Sequence, residues 1–259
     1  MAEVREYSPG TPCWAELATP DLEASRAFYS ELFGWAAYTI STDRFGDYEI
    51  LALGDIQGPM VGGITELADE SERPSWTCYF AVDDVDATVE AARSAGGQVY
   101  MEGTDMGDTG RTAMLAGPEG AEFSLWQAYE MAGAEAAGVP GTMCWVELAC
   151  RDTEKALRFY NKIFGWEPVT RIYDHTAYTD WHLRGRPVCG MIHMGDRWPA
   201  HYPAHWIPHF AVADCDASAA KATALGAHIQ LPPRDTDRGR FAMLTDPGGA
   251  RLAILTPKE

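Results

Sequence analysis

Two carboxylates set in apolar runs hold most of the chemistry available to this chain. Glu16 lies in CWAEL and Glu147 in CWVEL, each two residues after a tryptophan. A carboxylate is rarely buried unless it is paired, so each of them needs a partner or a ligand. All seven histidines fall in the second half, at 175, 182, 193, 201, 205, 209 and 228. Of these, His182, His193, His205 and His209 could approach a cavity lined by Glu147. A histidine beside a carboxylate serves as a general base near neutral pH. Glu147 and His209 are therefore the candidate catalytic pair, and Glu16 and Tyr79 stand at the equivalent places in the first half. A plainer use of the same residues is structural hydrogen bonding. A metal site built from Glu147 and two of the histidines is a further alternative.

These residues recur because the chain repeats. GTPCWAELATPDLEASRAFYSELFGW (10 to 35) matches GTMCWVELACRDTEKALRFYNKIFGW (141 to 166) at 14 of 26 positions. GRTAMLAGPEGA (110 to 121) matches GRFAMLTDPGGA (239 to 250) at 8 of 12, with the offset drifting only from 131 to 129. A period that long describes duplicated domains rather than a solenoid. The expected organisation is a first domain over 8–128, a small-residue linker YEMAGAEAAGVP over 129–140, and a second domain over 141–257.

Within each domain a strand-then-helix pattern occurs twice. Leu22, Ser25, Phe28, Tyr29, Leu32 and Phe33 share one helical face, with Asp21 as N-cap and Gly34 as C-cap. Asp152 to Gly165 repeats that plan. Two further helices begin near Asp84 and Asp214 and end at Gly96 and Gly226. The leading strands are Cys13 to Leu17, Trp76 to Val82, Trp145 to Leu148 and Trp206 to Val212. Later strands are read at Tyr48 to Leu53, Met60 to Ile64, Arg111 to Ala116 and Phe123 to Gln127. In the second half they are read at Thr179 to Leu183, Val188 to His193, Phe241 to Thr245 and Leu252 to Thr256.

Strand side chains alternate between faces. Cys13, Ala15 and Leu17 are expected under the helices, leaving Trp14 and Glu16 on the other face with Tyr79, Ser124 and Trp126. In the second half that face carries Trp145, Glu147, His209 and Arg251. Helices on one side and aromatic and polar residues on the other describe an α+β fold whose curved sheet encloses a small-molecule pocket. Trp14, Glu16, Tyr79, Ser124, Trp126, Trp145, His182, His193 and Arg251 are the candidate ligand-binding residues.

Composition narrows the partners. The formal net charge of -18 disfavours nucleic acid and anionic membrane surfaces. The six cysteines form no CxxC and sit mostly in apolar runs, which suits reduced thiols in the cytoplasm. No apolar run approaches the roughly 18 residues of a membrane span. A monomer or a homodimer is expected.

ELATPDLEASRAFYSELFGW, FAVDDVDA and GPEGAEFSLWQ resemble the glyoxalase/bleomycin-resistance/extradiol dioxygenase (vicinal oxygen chelate) superfamily over nearly the whole chain. The resemblance implies four βαβββ modules, paired into two curved mixed sheets with the helices outside. It also implies metal ligands seven residues before each helix-opening Asp and four residues after the Gly of the later turn. Those positions hold Trp14, Thr77, Trp145, Ile207, Ser124 and Ala253, and the equivalent strand of each first module offers Gly63 and Gly190. Trp, Ile, Ala and Gly offer no lone pair, and Thr and Ser are weak ligands. The expectation is a protein with neither metal nor other cofactor that binds a small molecule, in resistance to or sequestration of a toxic compound. The alternative is a lyase or isomerase acting on a small carbonyl compound or secondary metabolite through a Glu-His or Glu-Tyr acid-base pair.

Overall fold

The computed structural model describes residues 4–42, 46–69, 71–173, 176–196, 198–199 and 201–258. The first half runs β1 (Pro12–Thr19), α1 (Leu22–Phe33), β2 (Trp35–Thr42), β3 (Gly46–Leu53) and β4 (Met60–Glu66). It continues with β5 (Ser75–Ala81), α2 (Val85–Ser94), β6 (Gln98–Asp105), β7 (Gly110–Ala116) and β8 (Glu122–Ala128). The second half repeats the plan, beginning with β9 (Met143–Cys150), α3 (Thr153–Phe164), β10 (Glu167–Tyr173), β11 (Thr176–Leu183) and β12 (Arg186–His193). It ends with β13 (His205–Ala211), α4 (Cys215–Ala224), β14 (His228–Thr236), β15 (Gly239–Thr245) and β16 (Arg251–Pro257). Among the described residues no helix is long and apolar enough to cross a membrane.

Each half is one eight-stranded mixed sheet, ordered β2-β3-β4-β1-β5-β8-β7-β6 and β10-β11-β12-β9-β13-β16-β15-β14. The leading strands β1 and β5 pair antiparallel at the centre, and so do β9 and β13. Each module's last strand pairs parallel with its first. The α+β, two-domain, paired-module architecture is thus as the sequence implied.

The helices start and stop on sequence signals. The Asp21 carboxylate accepts from Ala24 N at 2.9 Å, and Gly34 closes α1 with φ 74°. Asp152 and Gly165 do the same for α3.

The strand after every helix went unread in the sequence: β2, β6, β10 and β14. All four are outer strands of their sheets. β6 and β14 bury no residue fully. An edge strand with so little burial leaves no clear alternating apolar stripe. A second correction concerns Cys13. A register shift between Pro12 and Trp14 turns its thiol out of the helix-facing set, into a cluster with Trp14, Ile50, Ala81, Trp126 and Ala134.

The helix-facing sides of the two sheets share one aromatic core. Helix α1 meets α4 and α2 meets α3 between the sheets. Trp76 contacts Phe210 at 5.1 Å, and its mirror pair, Phe80 and Trp206, lies at 5.0 Å between ring centroids. Trp35 Nε1 donates to Gly141 O at 2.7 Å, and Trp166 Nε1 donates to Gly10 O at 2.8 Å. Each FGW tryptophan thus holds the start of the other repeat. The contacts are reciprocal, as across the isologous interface of a two-fold dimer. Not every contact is symmetric: Tyr29 Oη donates to Asp246 Oδ2 at 2.7 Å, and Asp152 N donates to Glu119 Oε2 at 2.9 Å.

Candidate small-molecule site on the concave faces

With the helix sides packed together, the other face of each sheet is left for chemistry. In the first domain Trp14, Glu16, Tyr79, Ser124 and Trp126 converge there, tied by the registers Trp14 with Tyr79 and Tyr79 with Ser124. Tyr48 from β3 joins them, though sequence reading gave it no role. Trp14 Nε1 donates to Tyr48 Oη at 3.1 Å, which donates to Glu16 Oε2 at 2.8 Å. Tyr79 Oη donates to the same oxygen at 3.1 Å and itself accepts from Ser124. Burial raises the Glu16 carboxyl, opposed by its two phenol donors. The carboxylate is satisfied internally, which is the structural role weighed above.

The linker covers part of this face. Ala134 N donates to Cys13 O at 2.8 Å, Glu135 N to Met60 O at 2.7 Å and Trp126 Nε1 to Met131 O at 2.8 Å. Tyr7 Oη donates to Ala134 O at 2.8 Å. Met131, Ala134, Tyr7 and Met106 pack over Trp14 and Trp126. At the other end Glu16, Ala18 and Thr77 are half-buried.

The second domain repeats the constellation with different outcomes. Trp145 Nε1 donates to Tyr178 Oη at 3.1 Å, and Tyr178 is hydrogen-bonded to Glu147. Where the first domain has Tyr79 and Ser124, the second has His209 and Ala253, paired in the same register. The chain of donors that ends on Glu16 is therefore cut. His209 is 5% exposed and its Nε2 has no hydrogen-bond partner. Glu147 and His209 lie diagonally on adjacent strands of one face, since Trp145 opposes His209 and Ile207 opposes Glu147. No hydrogen bond joins them. Burial pushes the Glu147 carboxyl up to about 7, opposed by Tyr178 and Arg238. Burial, helped by the Arg238 charge, pushes His209 down to about 3. At neutral pH the histidine is uncharged, and the carboxyl is poised between its two forms.

Three residues of this face, Tyr178, Asp180 and Arg238, were missed in the sequence. The Arg238 guanidinium lies 3.5 Å over the Trp145 ring and pairs with the buried Asp180. Asp180 also holds Arg171 Nη1 at 3.2 Å. No local signal marks Arg238, because it sits in a turn. Tyr48 and Tyr178 did leave one: their offset of 130 falls between the two repeat offsets.

Other predicted residues lie apart from Glu147. Arg251 sits at the far end of the face, its guanidinium 4.0 Å over the Tyr202 ring and 5.7 Å over Trp198. Those two rings, with Met194 and Ile192, cover Ala149, Ile207 and Ala253. His205 belongs to this cover; its ring contacts Tyr202, and burial lowers it to about 4. His182 is half-buried at the end of β11, beyond a register shift after Trp181. His193 is exposed and shares the strand face of Met191, which packs in the helix-side core, so it points away from the site. His175 lies outside the described residues.

The inherited metal positions can now be tested. Trp14, Thr77, Ser124 and Gly63 fall on the first concave face, and Trp145, Ile207, Ala253 and Gly190 on the second. A Cβ on Gly63 would collide with the Tyr48 phenol, and one on Gly190 with the Tyr178 phenol. The hydroxyls thus fill the space where a ligating side chain from that strand would begin. Among the described residues no group of three or more His, Cys, Asp or Glu could hold a metal ion. The residues present do not fit the family's metal. The six cysteines are free, with all but Cys144 buried.

The comparisons agree with this architecture. The profile of the "Glyoxalase/Bleomycin resistance protein/Dioxygenase superfamily" matches residues 13–125 and again 126–254. The anthracycline biosynthesis protein DauV of Streptomyces sp. (strain C5) is 35% identical over 267 residues, 98% of this chain and 95% of that protein. CFP32 of Mycobacterium tuberculosis (strain CDC 1551 / Oshkosh), a glyoxylase by its descriptive name alone, is 37% identical over 262 residues, 99% of this chain and 98% of that one. In fold, the chain is similar to the Mn(II)-bound glyoxalase from Novosphingobium aromaticivorans, with TM-score 0.67 at 17% identity, covering 97% of this chain and 83% of that chain. With both halves matched in tandem and full-length relatives this similar, the chain belongs to the glyoxalase/bleomycin resistance protein/dioxygenase superfamily.

Proposed function

We propose that this protein binds a small, largely aromatic molecule on the concave face of its second domain, without a metal ion, and thereby sequesters or carries it. The observation that carries the reading is His209 Nε2, a buried polar atom left without a partner beside Glu147 and Trp145. Buried polar groups are normally hydrogen-bonded, and a ligand atom would complete this one. Trp145 and the ring of Phe241, which stacks on His209 at 6.3 Å, supply apolar walls. The anthracycline biosynthesis proteins among the relatives make a polycyclic aromatic compound a reasonable ligand class. Buried free thiols suit a reducing, cytoplasmic setting. The test is a thermal-denaturation screen of chelator-treated protein against aromatic natural products, with metal content measured by plasma mass spectrometry. A stabilising compound on metal-free protein supports the reading. A response only after Zn, Mn or Ni is restored overturns it.

One observation favours a second reading, a lyase or isomerase. A carboxyl near 7 can give and take a proton at physiological pH. In that reading Glu147 moves the proton of an enolisable carbonyl compound, and the neutral His209 holds the carbonyl oxygen. Glu147→Gln would then lower kcat by about 10² to 10⁴. Unchanged turnover would remove Glu147 from the mechanism.

A further inference from the structure

The two concave faces are closed by different means. In the first, the linker forms much of the cover, held to the sheet through its backbone. Tyr129 N and Met131 N both donate to Thr109 O, at 3.1 and 3.0 Å, and so fix the linker over Trp14. The later repeat aligns Thr109 with Arg238. In the second domain the segment carrying Met194, Trp198 and Tyr202 covers the far end, at Ala149, Ile207 and Ala253, and the Arg238 side chain covers Trp145.

Arg238 is held by two contacts, the Trp145 ring and Asp180. It sits in the turn between β14 and β15, with its side chain 30% exposed. Its carboxylate partner Asp180 is shared with Arg171, so withdrawal of Arg238 leaves no buried carboxylate alone. Its flat guanidinium occupies the ring face of Trp145 at stacking distance, the place an aromatic ligand would take. Its charge also acts on Glu147, Tyr178 and His209, so it faces the same interior.

We propose that Arg238 is a displaceable gate that selects planar aromatic acids: the ligand's ring takes the Trp145 face while the displaced guanidinium pairs with its carboxylate or phenolate. The inference rests on the binding role proposed above and adds the chemical class. The ordered events are simple. The arginine swings off Trp145, the ring enters, and His209 Nε2 meets a polar atom of the ligand. Arg238 then forms a charge-assisted pair at the rim, where a planar fork matches a carboxylate in two bonds.

The probes are 2-naphthoate and 2-naphthamide, which share a shape and differ by one charge. Affinities are measured by tryptophan fluorescence for the parent, Arg238→Gln and Arg238→Lys, with thermal denaturation to confirm folding. The expected result is naphthoate binding at least about tenfold tighter than naphthamide to the parent, the scale of one charged hydrogen bond. Arg238→Gln should erase that preference while naphthamide affinity holds or rises, and Arg238→Lys should keep most of it. Equal affinities in the parent, or a preference that survives Arg238→Gln, would overturn the gate. So would a lack of binding by both probes. The reading of a small-molecule site would still stand or fall separately on the wider screen of neutral aromatics.

Discussion

The phenol of Tyr178 occupies the space that a side chain on Gly190 would need, and Tyr48 does the same at Gly63 in the first domain. In each domain a Trp-Tyr-Glu hydrogen-bonded row lies against that glycine. The glycine therefore cannot gain a side chain while the tyrosine keeps its hydroxyl.

That coupling is measurable. Gly190→Ala should destabilise the protein by about 1–3 kcal/mol, the usual cost of overpacking a filled interior. In a Tyr178→Phe background the same substitution should cost less, since the colliding hydroxyl is gone. A double-mutant cycle from urea denaturation checks this, and equal costs in both backgrounds would break the relationship.

Glu147 carries a pH signature. Its folded carboxyl, raised from 4.5 to about 7, holds its proton where the unfolded chain has released it. Its burial therefore costs stability increasingly as pH rises from about 4.5 to about 7, and the cost is absent below that window. Glu147→Gln removes the ionisation. Relative to the parent, the variant should gain stability across this window, approaching roughly 3 kcal/mol at its upper end. His209, lowered by burial, acts in the opposite direction at acid pH in both proteins and cancels in the comparison. A pH-independent difference between the two would mean that Glu147 is ionised in the fold.

The reciprocal bonds of Trp35 and Trp166 predict that the two domains unfold together. Far-ultraviolet circular dichroism and tryptophan fluorescence should give coincident urea transitions. Trp166→Phe, which leaves the buried Gly10 carbonyl without its indole donor, should lower stability by about 1–3 kcal/mol. Two separated transitions would show that the shared core does not couple the halves.

The repeat, the helices and the central strands were legible because they carry strong local signals: Asp caps, Gly stops and alternating apolar runs. Outer strands such as β6 were not, because only neighbouring strands define them. On the site, alternation correctly grouped Trp14, Glu16, Tyr79, Ser124 and Trp126, and likewise Trp145, Glu147 and His209. It misplaced His193, which was read as near the cavity although its position on the strand turns it away. Arg238 and Asp180 were invisible, since their pairing spans 58 residues and depends on how a hairpin folds over a sheet. The bulge that turns Cys13 inward belongs to strand pairing, which single-sequence alternation does not register.

The central claim is metal-free binding on the second concave face. The most direct measurement is a fluorescence titration of chelator-treated protein with a compound from the screen, comparing Trp14→Phe with Trp145→Phe. The account predicts that Trp14→Phe keeps the saturable signal and affinity, whereas Trp145→Phe loses the signal and weakens binding. Binding lost in Trp14→Phe but intact in Trp145→Phe, or recovered only on adding a transition metal, would contradict it.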